Sequence, residues 1–167
     1  MQRLGHITFR YTMPIEETMA FELLYHSNLQ MDVESKQHLI ATHGAIFVWM
    51  FVDGKLAGET YGIPVAGCDE RIAGMDTVPE EEKRLAMYCY SNTLLPPYHG
   101  LGYSDVMKAH WLGLVAGRGY QYVFGHARPG PSQALNVRFG AEFLAEFGNW
   151  YGTGEAYRLY RLHLGSL

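Results

Sequence analysis

A strand that stops at Pro96-Pro97, a loop carrying Gly100 and Gly102, and an amphipathic helix follow one another without a gap, and this succession constrains the fold most. The stretch from Tyr88 to Val106 reads YCYSNTLLPPYHGLGYSDV. Proline removes backbone donors and ends the strand. A glycine loop opening into a helix leaves several N–H groups pointed one way, at the positive end of the helix dipole. That is an anion site, most often for phosphate. Tyr103, Val106, Met107, Trp111 and Leu114 recur at three- and four-residue spacing and mark one buried helix face. Gly117 and Gly119 end that helix, and the strand-like run YQYVFGHA, Tyr120 to Ala127, follows after a short turn. Strand, helix and strand in that order form a βαβ unit with parallel neighbours.

The remaining chain reads as antiparallel strands with helices between them. HITFRYT, residues 6 to 12, alternates with period two and predicts a first strand. Pro14, Glu16 and Glu17 suit a helix start, and Ile15, Met19, Leu23 and Leu24 give that helix an apolar stripe. A second helix is expected from Asp32 to Thr42, with Val33, Gln37 and Ile40 at helical spacing. AIFVWMFV from Ala45, Asp53-Gly54, and KLAGETYGI to Ile63 predict a hairpin closed by a type I′ turn. Residues 64 to 84 read as a long exposed loop with room for one helical turn, either a solvated excursion or a segment controlling substrate access. A strand from Leu85 to Leu95 leads into the glycine loop. After Ala127, a short helix is expected over Ser132 to Ala141, then strands over Glu142 to Gly148 and Glu155 to Leu164 around the turn GNWYGTG.

At 167 residues the chain is expected to form one domain, residues 1–167, around one core. Hydrophobic residues at 48% and charged residues at 18% exclude a disordered chain, and no apolar run approaches the roughly 20 residues of a membrane span. The N-terminus lacks the apolar core of a signal peptide, so a cytoplasmic protein is expected. Cys68 and Cys89 form no ligand or disulfide pattern, and the eight histidines form no metal motif, so no metal is expected. A net charge of −4 without a basic cluster argues against nucleic acid. Aromatic residues at 14% are compatible with a homodimer interface without requiring one.

Three phosphate loops can be compared with this one. A nucleoside-triphosphate loop requires Gly-x-x-x-x-Gly-Lys-Ser/Thr, and the lysine is missing here. A dinucleotide loop requires a third glycine where Asp105 stands and an acidic residue where Tyr120 to Tyr122 stand. The third is the pyrophosphate loop of coenzyme A. PPYHGLGYSDVM resembles motif A of the GNAT superfamily of acyl-CoA-dependent N-acyltransferases, Gln/Arg-x-x-Gly-x-Gly/Ala, with His99, Gly102 and Ser104 on the three specified positions. The order of elements, including a short helix ending in FGAE, extends the resemblance over nearly the whole chain.

The resemblance implies an α+β fold with a mixed, mostly antiparallel sheet of about six to seven strands, a parallel fourth and fifth pair, and about four flanking helices. It implies an N-acetyltransferase in which the primary amine of a small molecule, peptide or protein attacks the thioester of acetyl-CoA directly. It also implies coenzyme A contacts from Leu94, Leu95, His99, Gly100, Leu101, Gly102, Tyr103 and Ser104, the two leucines through their N–H groups. Asn136 falls where many family members have the tyrosine that protonates the departing thiolate. It is a candidate hydrogen-bonding contact to the cofactor but not a useful proton donor, so a CoA-binding or regulatory module acting through a partner is the alternative. Glu59 is the candidate base, since burial raises a carboxylate pKa, with an outward-facing strand residue as the plainer reading. Tyr90 relays a proton or packs, and His126 approaches the cleft or is a satisfied structural histidine. Trp150 and Tyr151 are expected at the acceptor site, or simply to close a hairpin.

Overall fold

The computed structural model describes residues 4–25, 30–68 and 72–166. Its seven-stranded sheet runs β1 (Ile7–Arg10), β2 (Ile46–Val52), β3 (Lys55–Pro64), β4 (Ala86–Leu94), β5 (Tyr122–Ala127), β7 (Tyr157–His163) and β6 (Glu142–Phe147) in spatial order. Every neighbouring pair is antiparallel except β4 and β5, as the intervening helix requires. Among the described residues there are five α-helices, α1 (Ile15–Tyr25), α2 (Val33–Ala41), α3 (Glu80–Arg84), α4 (Tyr103–Gly117) and α5 (Pro131–Arg138). The β2–β3 turn is the one its dipeptide demands, with Asp53 at φ 49° and Gly54 at φ 78°.

Alternation along β2 and β3 divides the core between two faces. Ile46 and Val48 meet Trp111, Leu112 and Val115 of α4 on one face, which we call the α4 face. Phe47, Trp49, Phe51, Tyr61 and Ile63 point the other way and pack with Leu39 of α2. A bulge opposite Tyr61 and Gly62 makes Tyr90 the extra residue of β4 and switches the pleat there. Ladder pairing between β4 and β5 runs from Ala86–Tyr122 to Cys89–Gly125 and goes no further, so the strands part beyond that rung.

Two helix faces differ from the expectation. On α1 the buried residues are Thr18, Phe21 and Glu22, while Leu23 and Leu24 are exposed. On α2 Lys36 and Leu39 are buried, and Val33 and Ile40 are exposed. Both corrections have one cause. Glu59 projects from β3 into that interface with no exposed surface, and the helices turn Glu22 and Lys36 toward it. The expected loop over 64 to 84 is also more built than its composition suggests. It holds short 3₁₀ turns at Val65–Gly67 and Met75–Thr77 as well as α3, and Met75 and Val78 are buried against Tyr88 and Phe124. Residues 69–71 of that segment lie outside the described residues.

Candidate functional site

The glycine loop has the geometry of an anion cradle. Gly100 at φ 71° and Gly102 at φ 88° occupy the left-handed region, with open space around the position of a Cβ at both. Gly102 is the N-cap of α4, so the N–H groups of the first turn face out of the helix start. Asp105 in that turn is held by a bidentate pair with Arg138 of α5, at 2.7 and 2.9 Å. That guanidinium lowers the Asp105 carboxyl below its usual value and balances a negative charge that would otherwise oppose an anion.

The side chains around the loop divide their work. His99 donates from Nε2 to the carbonyl of Leu94 at 2.9 Å, tying the loop to the end of β4. Tyr103 is buried, and its hydroxyl accepts from the Gly5 N–H at 2.9 Å. Its side chain therefore ties the loop to the segment at Gly5 and meets the Tyr98 ring edge-on at 5.7 Å. Leu101 and Ser104 line the outer side, partly or wholly exposed. Leu95 needs a correction: its N–H donates to the carbonyl of Ala57 on β3 at 2.8 Å and is not available to a ligand. By strand alternation the N–H of Leu94 points to the opposite edge, where β5 has departed.

Asn136 is 4% exposed; its Nδ2 donates to the Ser132 carbonyl at 2.9 Å, and its Oδ1 is buried without a partner. A buried acceptor left unpaired costs about 1–3 kcal/mol, so a donor arriving from a ligand would be favoured there.

Glu59 is neither outward-facing nor open to an acceptor. Its two oxygens accept from Lys36 Nζ at 2.8 Å and Trp49 Nε1 at 2.7 Å, and Lys36 also donates to Glu22 at 3.0 Å. Burial raises the Glu59 pKa against the opposing influence of Lys36. A base must reach the proton that it removes. As arranged, Glu59 holds Lys36 instead of meeting an amine.

Aromatic rings form a wall where β4 and β5 part, on the face opposite α4. Tyr90 is 38% exposed, stacks over Tyr61, and meets Tyr88 edge-on at 4.8 Å. His126 lies beside Tyr88, and its Nε2 is 3.1 Å from the carbonyl of Ala73, so Nε2 carries the proton and Nδ1 accepts from the Tyr88 hydroxyl at 2.7 Å. Burial depresses the His126 pKa to about 4. Trp150 stacks on His126 at 4.1 Å, and the exposed Tyr151 meets Trp150 edge-on. The turn between β6 and β7 thus does more than close a hairpin. Tyr88 is the wall residue that the sequence reading missed; its signal was its place one turn of the pleat before Tyr90.

A third cluster, also missed, lies under the last β4–β5 rung on the α4 face. Lys108 has no exposed surface, and Nζ donates to the Tyr160 hydroxyl at 3.3 Å and to Cys89 Sγ at 3.6 Å. An open depression of ≈ 590 Å³, lined by Glu82, Tyr122, Arg138 and Arg161 among others, is elsewhere. It is at the Tyr122 end of β5, away from the parting strands. Among the described residues no cluster of His, Cys, Asp and Glu fits a metal, and no helix is long and apolar enough to cross a membrane.

Solved structures match this fold over nearly the whole chain. Arabidopsis thaliana NAA60, solved with a bisubstrate analogue, is 13% identical with a TM-score of 0.73, covering 95% of this chain and 99% of that one. Salmonella typhimurium yncA, solved with its cofactor acetyl-CoA, is 13% identical with a TM-score of 0.70, covering 96% and 95%. The ribosomal-protein-S18-alanine N-acetyltransferase of Escherichia coli is 14% identical with a TM-score of 0.67, covering 95% and 94%. No protein-family model and no curated protein matches the sequence. The chain has the GNAT fold: a seven-stranded mixed sheet with its parallel β4–β5 pair parting next to a glycine loop.

Proposed function

We propose that this protein is an acetyl-CoA-dependent N-acetyltransferase acting on the primary amine of a small molecule or peptide. The observation that carries this reading is the end of the parallel ladder at Cys89–Gly125, on the same βαβ unit as the Gly100–Gly102 loop. The loop and the first turn of α4 would hold the pyrophosphate through N–H groups. The Leu94 N–H and Asn136 Oδ1 would hold the pantetheine arm, the first as donor and the second as acceptor. The bound acetyl-CoA of the Salmonella structure supports this choice of ligand. When bound, acetyl-CoA supplies an activated acyl carbon for direct attack by the amine.

The chain's own task is positioning. Tyr90, Trp150 and Tyr151 offer aromatic surface to an alkylammonium or arylalkylamine at the parting strands. His126 is neutral at pH 7, so it adds no positive charge to repel a cationic acceptor. The net charge of −4 favours the same class of acceptor. A second reading, a CoA-binding module without turnover, is favoured by Asn136 in place of a proton donor.

Titration calorimetry with acetyl-CoA and coenzyme A tests the ligand, and absence of heat with both would end this reading. Gly102→Glu should weaken binding at least tenfold, while Gly102→Ala, with the same backbone strain and open space for its methyl, should stay within a few-fold of wild type. Equal losses would assign the effect to strain. Thiol release from acetyl-CoA across a panel of primary amines then separates enzyme from binder.

A further inference from the structure

Lys108 is a fully buried ammonium whose polar contacts are a thiol and a phenol, in a molecule whose other buried lysine has two carboxylates. A cation taken out of water without an anion is costly. Its position makes the arrangement informative. Cys89 is on the last rung that β4 shares with β5, opposite Gly125. Tyr160 pairs with Gly125 from the other side and lays its ring across it, so closely that a Cβ at 125 would be 2.5 Å from the hydroxyl oxygen. Lys108 Nζ and Tyr160 Oη therefore lie under the last rung that β4 and β5 share, on the α4 face, next to the place where the strands part. Lys108 also belongs to the helix whose first turn faces the anion loop, six residues and about 9 Å along its axis from Gly102.

We propose that Lys108 and Tyr160 form the site for the coenzyme A sulfur, where Lys108 stabilises the thiolate and Tyr160 returns its proton. This rests on the N-acetyltransferase reading above. The new C–N bond forms as the C–S bond breaks, and the electron pair of that bond stays on sulfur. Tyr160 gives its O–H proton to the thiolate, yielding free thiol; Lys108 restores the phenol with an ammonium proton. The amine's lost proton passes to water, and water returns one to Lys108. Because Lys108 donates to the phenol oxygen, Tyr160 keeps its own proton to give. Burial, with Cys89 alongside, raises the Tyr160 pKa well above its ordinary value and keeps it in the donor form. The proton donor that Asn136 cannot supply is thus found on β7.

The test compares coenzyme A with desulfo-coenzyme A, which lacks the sulfur, by calorimetry from pH 7 to 9. An ammonium beside the sulfur lowers the bound thiol's pKa below about 8.5, so the advantage of coenzyme A should grow several-fold over this range. Lys108→Met should abolish that growth while desulfo-coenzyme A binds unchanged. With the best amine of the panel, Tyr160→Phe should lower kcat roughly 100-fold or more with KM for acetyl-CoA nearly constant. The same pH dependence in wild type and Lys108→Met, or no such dependence in wild type, would overturn the proposal while leaving cofactor binding intact. Failure of both ligands to bind wild type would overturn the N-acetyltransferase reading itself.

Discussion

Lys36 and Lys108 are both fully buried, on opposite faces of one sheet, and they are solvated by the protein in opposite ways. Lys36 lies between Glu22 and Glu59, with its ammonium 3.9 Å from the centre of the Tyr61 ring. That cluster joins α1, α2 and β3, and both carboxylates accept from the one ammonium. Lys108 has a thiol at 3.6 Å, a phenol at 3.3 Å and the more distant rings of Trp111 and Tyr160. None of these bears a full negative charge in its ordinary protonation state. The first arrangement is complete in the folded chain, while the second is electrostatically incomplete at the place where the reaction would create an anion.

The sharpest way to break this comparison is to delete each lysine. Lys36→Met leaves two buried carboxylates without a cation, and urea unfolding should show a loss of about 3–5 kcal/mol. If Lys36→Met and Lys108→Met cost the same, the distinction between them fails. A smaller effect comes from His126, which is kept neutral by burial instead of being paired. Its pKa of about 4 against an unfolded value near 6.5 means that the unfolded chain binds the extra proton first. Stability should therefore be fully present above pH 6.5 and fall as pH drops toward 4, by roughly 3 kcal/mol at most. His126→Phe should remove that part of the acid slope. Next, adding Glu59→Gln to Lys36→Met should recover about 1 kcal/mol or more of the loss, because one of the stranded charges is gone. No recovery would mean that Lys36 acts through packing against Tyr61 and Phe47.

The same contrast explains what was legible in the sequence. The Asp53-Gly54 hairpin, the Gly100–Gly102 loop and the βαβ unit are written in local chemistry, since positive φ and a crossover helix leave few alternatives. The faces of α1 and α2 were not legible, because Leu23 and Val33 yield to Glu22 and Lys36 only once Glu59 is known to point at them. A charge answering a charge across 14 or 23 residues has no periodic signal. Leu95 was assigned by position in the motif, and only the partner of its N–H shows which edge that group faces. Lys108 did leave a trace, as it stands four residues before Leu112 and seven before Val115 on the buried stripe of α4. Reading the stripe by apolar residues alone passed over it.

The smallest expected change is the one that separates stability from function. Lys108→Met removes a buried ammonium that no carboxylate needs, and methionine fills nearly the same unbranched volume. What it leaves behind is a phenol and a thiol short of one donor, which costs about 1 kcal/mol, while the desolvation of the ammonium is relieved. Urea unfolding should therefore place Lys108→Met within about 1 kcal/mol of wild type, on either side. A loss as large as that of Lys36→Met would make Lys108 a structural tie between α4, β4 and β7. Near-neutral stability together with loss of the sulfur-dependent pH effect would identify a charge retained for the chemistry of the gap.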